Sequence, residues 1–243
     1  MAISLWDRRK TSLEELSSAP QFLDYGFGAG SFMLRVSQRN FAVSGIDYGT
    51  QAVNQFSAFA GRHGTQIDLY DFANGGLSQL SGRRFNCITL FQVIEHLQSP
   101  VSVLTELRSL QQLGDYIYIE CPHQDGWFFR LKNLIRPLIG RTFMWGSVSP
   151  PQHIFGFNRT SLSVALVCAG YKVVEVGDYA MGDTLHAPET QLWYPTISEW
   201  WRRPGTRSLY GIAKMIIRLF DAPASRFFGR GGGLWALARA IDR

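Results

Sequence analysis

Three glycines at alternate positions, Gly26, Gly28 and Gly30, follow the apolar run Pro20 to Tyr25 and precede a helix-compatible segment, Ser31 to Ser37. A turn of this kind contributes to chemistry by holding something. Without Cβ atoms the chain takes backbone angles closed to other residues and lets a ligand lie against main-chain amides. Asp24, two residues before the first glycine, selects among ligands. An anionic pyrophosphate gains nothing from a carboxylate there, whereas a ligand carrying an ammonium or sulfonium group is attracted to it. The Gly-x-Gly-x-Gly spacing is also one residue shorter than the dinucleotide fingerprint, so the turn favours S-adenosylmethionine over a nicotinamide cofactor.

Two further acids suit the same ligand. Asp47 ends an apolar run, Phe41 to Ile46, about 20 residues beyond the glycines, where a carboxylate reaches ribose hydroxyls; it also reads as a cap for the helix beginning near Gly49-Thr50. Asp71 is placed to accept a hydrogen bond from an adenine amino group with Phe72 near the ring, and reads equally as a turn residue before Asn74-Gly75-Gly76. Methyl transfer from a sulfonium is an in-line displacement that depends on alignment and exclusion of water, and an oxygen or nitrogen acceptor benefits from a base. His96, His123 and His153, each at or near a loop expected on the same side of the molecule, are the candidate bases; each also reads as a structural hydrogen-bonding residue.

The elements that must position these residues alternate. After the glycine turn and its helix come strands at Phe41 to Ile46, Thr65 to Tyr70, Phe85 to Phe91 and Tyr116 to Cys121, with a helix at Gln51 to Arg62 between the first two. A helix at Ser161 to Ala169, capped by Gly170, leads to a strand at Tyr171 to Val176 and a last one at Leu234 to Arg239, with Gly231 to Gly233 read as a turn that binds nothing. The expected fold is α/β: a Rossmann-like, seven-stranded, mostly parallel sheet with one antiparallel edge strand and helices on both faces. Residues 124–149, basic and aromatic, and residues 181–230 fall outside the sheet. Both are too long for structureless connections, so they are expected to fold over the site as caps within a single domain, 1–243.

Leu23 to Phe32, Gly45-Ile46-Asp47 and Phe85 to Leu97 together resemble the class I S-adenosylmethionine-dependent methyltransferases, in particular the branch that includes ubiquinone-biosynthesis O-methyltransferases and bacterial enzymes acting on glycans and lipids. The likeness covers roughly residues 20–180 and resumes at the C-terminal strand. It implies S-adenosylmethionine as cofactor, with main-chain atoms of Phe91 and Gln92 near the methionine amine, and O-methylation of a small-molecule, glycan or lipid-linked acceptor. It also implies that the last strand pairs antiparallel with its predecessor at the sheet edge. Two departures stand out. Leu113-Gly114-Asp115 keeps one glycine of the usual Pro-Gly-Gly turn, and the metal-holding Glu-x-x-Glu-His pattern of that branch is matched at Glu95 and His96 but has Gln92 at its first acid. Loss of a charged oxygen weakens a hard-cation site, so no required metal is expected, and Glu95 and His96 are read as fixing the strand-to-helix turn. The alternatives are a protein that binds S-adenosylmethionine without catalysis, as a scaffold, and a nicotinamide-dependent enzyme.

Composition bounds the rest. In 243 residues, 46% are hydrophobic and 18% charged, which allows a sizeable core and excludes global disorder. Much of the excess behind the net charge of +5 lies in one late segment, so it does not read as a general nucleic-acid footprint. Cys87, Cys121 and Cys168 sit in apolar runs without metal or redox spacing and are expected to be reduced core residues of a cytoplasmic protein with neither a secretory signal nor a membrane span. In residues 193–220, Trp193, Tyr194, Trp200 and Trp201 precede an expected helix, Arg207 to Phe220, with a narrow stripe of Arg207, Lys214 and Arg218 on a wide apolar surface. That suits packing as part of a cap or a dimer interface, and also peripheral contact with an anionic membrane.

Overall fold

Short runs rich in Val, Ile, Leu and aromatic residues become strands, and the central ones are buried on both faces, as parallel sheets require. They are β1 (Gln21–Tyr25), β2 (Ala42–Asp47), β3 (Asp68–Asp71), β4 (Cys87–Phe91), β5 (Tyr116–Pro122), β6 (Tyr171–Tyr179) and β7 (Gly233–Ala240). The computed structural model describes residues 20–39, 41–62, 64–127, 129–130, 153–180, 220 and 223–242. Most of both cap insertions and the expected helix up to residue 219 lie outside the described residues.

The strands form one seven-stranded sheet in the order β3-β2-β1-β4-β5-β7-β6. β1 to β5 are parallel to their neighbours, and β7 runs antiparallel to both β5 and β6. The antiparallel strand therefore pairs with its predecessor at the sheet edge, one place inside β6. Side chains alternate along each strand, so the two faces carry separate clusters. On one face Leu23, Ile88, Leu90, Ile117 and Ile119 pack under Leu104 and Leu107 of α3 (Pro100–Ser109) and Leu162 and Leu166 of α4 (Arg159–Cys168). On the other, Phe22 and Cys87 meet Met33 and Val36 of α1 (Ser31–Ser37) and Phe56 of α2 (Thr50–Arg62).

Strand order reverses between β1 and β4, which makes the crevice beyond their carboxyl ends the switch point where doubly wound sheets bind ligands. The glycine turn leaves β1 at this place, and Gln92 to His96 leaves β4.

Several boundaries differ from expectation. β3 starts at Asp68, because its register with β2 begins at Ser44↔Asp68 and residues 65–67 have no partner strand. β6 continues beyond Val176 because Tyr179 pairs with Gly233. The glycine run is more than a turn: Gly233 opens β7, and the carbonyls of Gly232 and Gly231 meet His123 through its amide (2.8 Å) and Nδ1 (3.0 Å). Cys87 and Cys121 are buried free thiols as expected, but Cys168 is exposed, because the last residue of α4 faces solvent and not the sheet.

Candidate functional site

All three glycines of the turn hold positive φ, at 78° for Gly26, 54° for Gly28 and 75° for Gly30. They do different work. A Cβ on Gly26 would collide with Val93, and one on Gly30 with the ring of Phe56, so these two satisfy the protein's own packing. A Cβ on Gly28 would have no atom within 4 Å. The middle glycine borders open space, as a cradle for a ligand requires. Its amide donates to Asp47 Oδ2 at 2.8 Å, and the amide of Gly49 donates to Oδ1 at 2.9 Å, so one half-exposed carboxylate ties the turn to the entry of α2.

Asp24 lies below the turn, 2% exposed, and accepts a 2.7 Å hydrogen bond from Thr89 Oγ1 of β4. Burial lifts its pKa to about 7, against the lowering effect of Thr89 and with a smaller upward push from Asp47. Asp71 caps the 3-10 turn Phe72–Asn74: Oδ1 accepts from the Ala73 amide (2.9 Å) and Oδ2 from Thr50 Oγ1 (2.6 Å). Its turn role is thus built, and a contact with adenine would use the remaining lone pairs. Phe72 is stacked on Tyr48, with centroids 3.9 Å apart and planes at 24°, while Tyr25 meets both rings edge-on and pairs its hydroxyl with that of Tyr48 (3.1 Å). The sequence reading missed Tyr48. Its signal was available: an aromatic directly after the strand-ending Asp47, 54% exposed.

At the end of β4, Phe91 packs edge-on against Phe32 of α1 with centroids 4.6 Å apart. Gln92 has φ 56°, which no other described non-glycine residue shares as a positive value. Strain of this kind costs on the order of 1–3 kcal/mol and persists where surroundings impose it. Here the Gln92 amide is held by the Glu120 carbonyl (2.8 Å) and its side-chain amide by Tyr179 Oη (3.1 Å). Tyr118 Oη donates to the buried Glu120 carboxyl at 2.6 Å, and burial raises that acid to about 7. This polar floor at the carboxyl ends of β4, β5 and β6 was not foreseen, although a lone acid in an apolar strand is a readable signal.

The three histidines separate. His123 is 3% exposed and held at Nδ1 by Gly231, and burial lowers its pKa, which keeps the ring neutral. His96 and His153 come together, with ring centroids 4.8 Å apart. Glu95 lies beside them, 1% exposed and raised by burial to about 7. A separate groove of about 720 Å³ lies between α2 and the starts of β2 and β3, the amino ends of strands whose carboxyl ends carry Asp47 and Asp71, so it is no part of this site.

Sheet order, switch-point crevice and glycine cradle define a Rossmann-like, nucleotide-binding α/β protein. Residues 4–176 match the family model described as a methyltransferase domain, and the chain belongs to that family. Among curated relatives, the ubiquinone biosynthesis O-methyltransferase of Ralstonia nicotianae is 22% identical over 154 residues, which cover 60% of this chain and 65% of that protein. Its counterpart in Burkholderia thailandensis is 22% identical over 156 residues, 63% of this chain and 65% of that one. The chain thus matches just under two thirds of these relatives' length. Among solved structures, a putative sarcosine dimethylglycine methyltransferase from Galdieria sulphuraria superposes with a TM-score of 0.63 at 13% identity, covering 98% of this chain and 85% of that one. Magnesium protoporphyrin IX methyltransferase from Synechocystis, solved with bound SAH, gives 0.59 at 13%, covering 99% and 81%. These likenesses show the fold.

Proposed function

We propose that the protein is an S-adenosylmethionine-dependent methyltransferase acting on oxygen of a small-molecule, glycan or lipid-linked acceptor. The observation that carries the reading is Gly28: an open, positive-φ position bordered by the Asp47 carboxylate in a chain of the methyltransferase family. Asp47 would exchange an amide bond for ribose hydroxyls, the stacked Tyr48–Phe72 pair would offer one face to the adenine, and Asp71 would lie beside its amino group. The main chain of Phe91 and Gln92 would meet the methionine ammonium, with Asp24 beneath as the compensating charge. The relatives' ubiquinone chemistry supports oxygen as target and a hydrophobic acceptor, which the peripheral-membrane reading of residues 193–220 would serve. Of the three histidines, His123 is engaged at Nδ1 by the glycine run, and this reading assigns the acceptor side to the His96–His153 pair.

Calorimetry with S-adenosylmethionine and NAD tests the cofactor, with saturable binding of the first and none of the second expected; the reverse would overturn the reading. Mass spectrometry of metabolites from a strain lacking the protein should show a species short of one methyl group. Saturable cofactor binding with no such species and no acceptor in any extract would favour a non-catalytic binder, since this fold hosts many functions.

A further inference from the structure

The run Gly231-Gly232-Gly233, which the sequence reads as a turn that binds nothing, seats one particular side chain. Gly233 pairs with Tyr179 across β7 and β6, and a Cβ on Gly233 would fall on Cζ of the Tyr179 ring. A Cβ on Gly231 would fall on the Tyr179 carbonyl. Both positions are thus kept clear by glycine because another part of the chain approaches closely. The far end of the phenol ring lies over β7, and the residue is 6% exposed.

From this seat the hydroxyl reaches the end of β4. Tyr179 Oη accepts from Gln92 Nε2 at 3.1 Å and hydrogen-bonds the buried Glu120 carboxyl. Burial raises the phenol well above its usual range, so it stays protonated and donates to that carboxyl. Tyr118 Oη gives the carboxyl a second donor at 2.6 Å, and the Glu120 carbonyl accepts the Gln92 amide at 2.8 Å. Glu120 therefore holds Gln92 at two points, directly through its main chain and by way of Tyr179 through its side chain. Two anchors on one residue fix a torsion that a single anchor leaves free, and φ of Gln92 is 56°, in the left-handed region that side chains rarely enter. The neighbours tie the same peptide to the cradle: Phe91 packs on Phe32, and Val93 fills the space that a Cβ on Gly26 would need.

We propose, resting on the cofactor reading above, that Tyr179 is a positioning residue: seated on Gly233 and braced by Glu120, it holds the Gln92 main chain in the conformation that meets the methionine end of S-adenosylmethionine. The C-terminal glycine run thereby takes part in cofactor binding from 141 positions further along the chain, counting from Gln92 to Gly233. The effect is confined to ligands with the amino-acid portion, because the nucleoside half falls to Asp47, Asp71 and the Tyr48–Phe72 pair, none of which touches Tyr179 among the hydrogen bonds and ring contacts described.

The test is calorimetric titration of the full-length protein with S-adenosylmethionine, S-adenosylhomocysteine and 5′-methylthioadenosine, which keeps the nucleoside and lacks the amino-acid portion. Tyr179→Phe leaves the ring on Gly233 and removes the hydroxyl. It should weaken the first two ligands about three- to tenfold and leave the third within about twofold. Gln92→Ala should do the same, and the double variant should lose no more than the weaker-binding single one, because both substitutions remove one contact. Gly233→Ala, which displaces the ring, should follow Tyr179→Phe; if it does not fold, the cycle between Tyr179→Phe and Gln92→Ala decides. Tyr171→Phe, which removes a buried hydroxyl bonded to Gln111 at the other end of β6, should leave all three ligands unchanged. Wild-type affinity for S-adenosylmethionine in Tyr179→Phe, an equal loss for all three ligands, or additive losses in the double variant would overturn the proposal alone. A wild type that binds no S-adenosylmethionine would overturn the cofactor reading with it.

Discussion

The amide of Gly28 and the carboxylate of Asp47 meet at 2.8 Å, joining the turn after β1 to the end of β2 across the carboxyl edge of the sheet. The contact places the open glycine and the acid 19 residues later on one ligand surface. Substitutions on its two sides should therefore separate ligand binding from folding.

Gly28→Val puts a branched side chain where, among the described residues, a Cβ meets no atom within 4 Å. S-adenosylmethionine binding should be lost in calorimetry, while the melting temperature falls only by the cost of a positive φ at a non-glycine residue, about 1–2 kcal/mol. Gly30→Ala should behave in the opposite order, since its Cβ meets Phe56 in the core: stability drops first. Unchanged cofactor affinity in Gly28→Val would falsify the cradle.

Asp47→Ala removes a carboxylate that accepts from two backbone amides and that the proposal gives to the ribose. Cofactor affinity should weaken by about 1.5–3 kcal/mol, roughly 10- to 150-fold in Kd. S-adenosylhomocysteine should suffer the same loss, because the ribose is common to both. A loss confined to one of the two would move Asp47 away from the ribose.

Asp24 is raised to about 7 by burial, so near neutrality it is partly protonated before ligand arrives. An ammonium group placed over it favours the carboxylate, and binding should release a proton. Cofactor affinity is then expected to fall by up to about tenfold per pH unit below about 7 and to level off above it. Titrations in buffers of different ionisation enthalpy should report the proton; Asp24→Asn should lose the slope. A flat profile in the wild type would remove Asp24 from contact with the ligand.

Asp24, Glu95 and Glu120 are each lifted by burial to about 7. For an acid whose folded pKa lies above its unfolded one, the folded state binds the extra proton, so stability is present at low pH and is lost as pH rises through the folded value. His123, lowered from its usual 6.5, works in the opposite sense below that value. The ligand-free protein should therefore lose melting temperature from pH 6.5 to 8.5. Glu120→Gln should flatten part of the decline, and a rise over that interval would contradict the buried acids.

Much of the fold was legible locally. Continuous apolar runs marked the strands because burial on both faces demands it, and Gly26 to Gly30 with Asp47 marked the cofactor half because turn geometry and ribose reach are set by short spacings. Strand ends were less legible: whether residues 65–67 pair, or Tyr179 extends β6, depends on a partner strand elsewhere in the chain. Tyr48 and Glu120 were passed over for a similar reason, since an aromatic after a strand and an acid within one gain meaning only from Phe72, Tyr118 and Tyr179.

The amino-acid sequence by itself determined the alternation of strands and helices, the glycine turn and the identity of the acids around it, because those follow from backbone freedom and from side-chain period over a few residues. Tertiary structure alone decided that Gly28 faces open space while Gly26 and Gly30 face Val93 and Phe56, and that His123 docks on Gly231 while His153 arrives beside Glu95 and His96. Those outcomes depend on which distant segments the sheet order brings together, and no local pattern of residues encodes that distance.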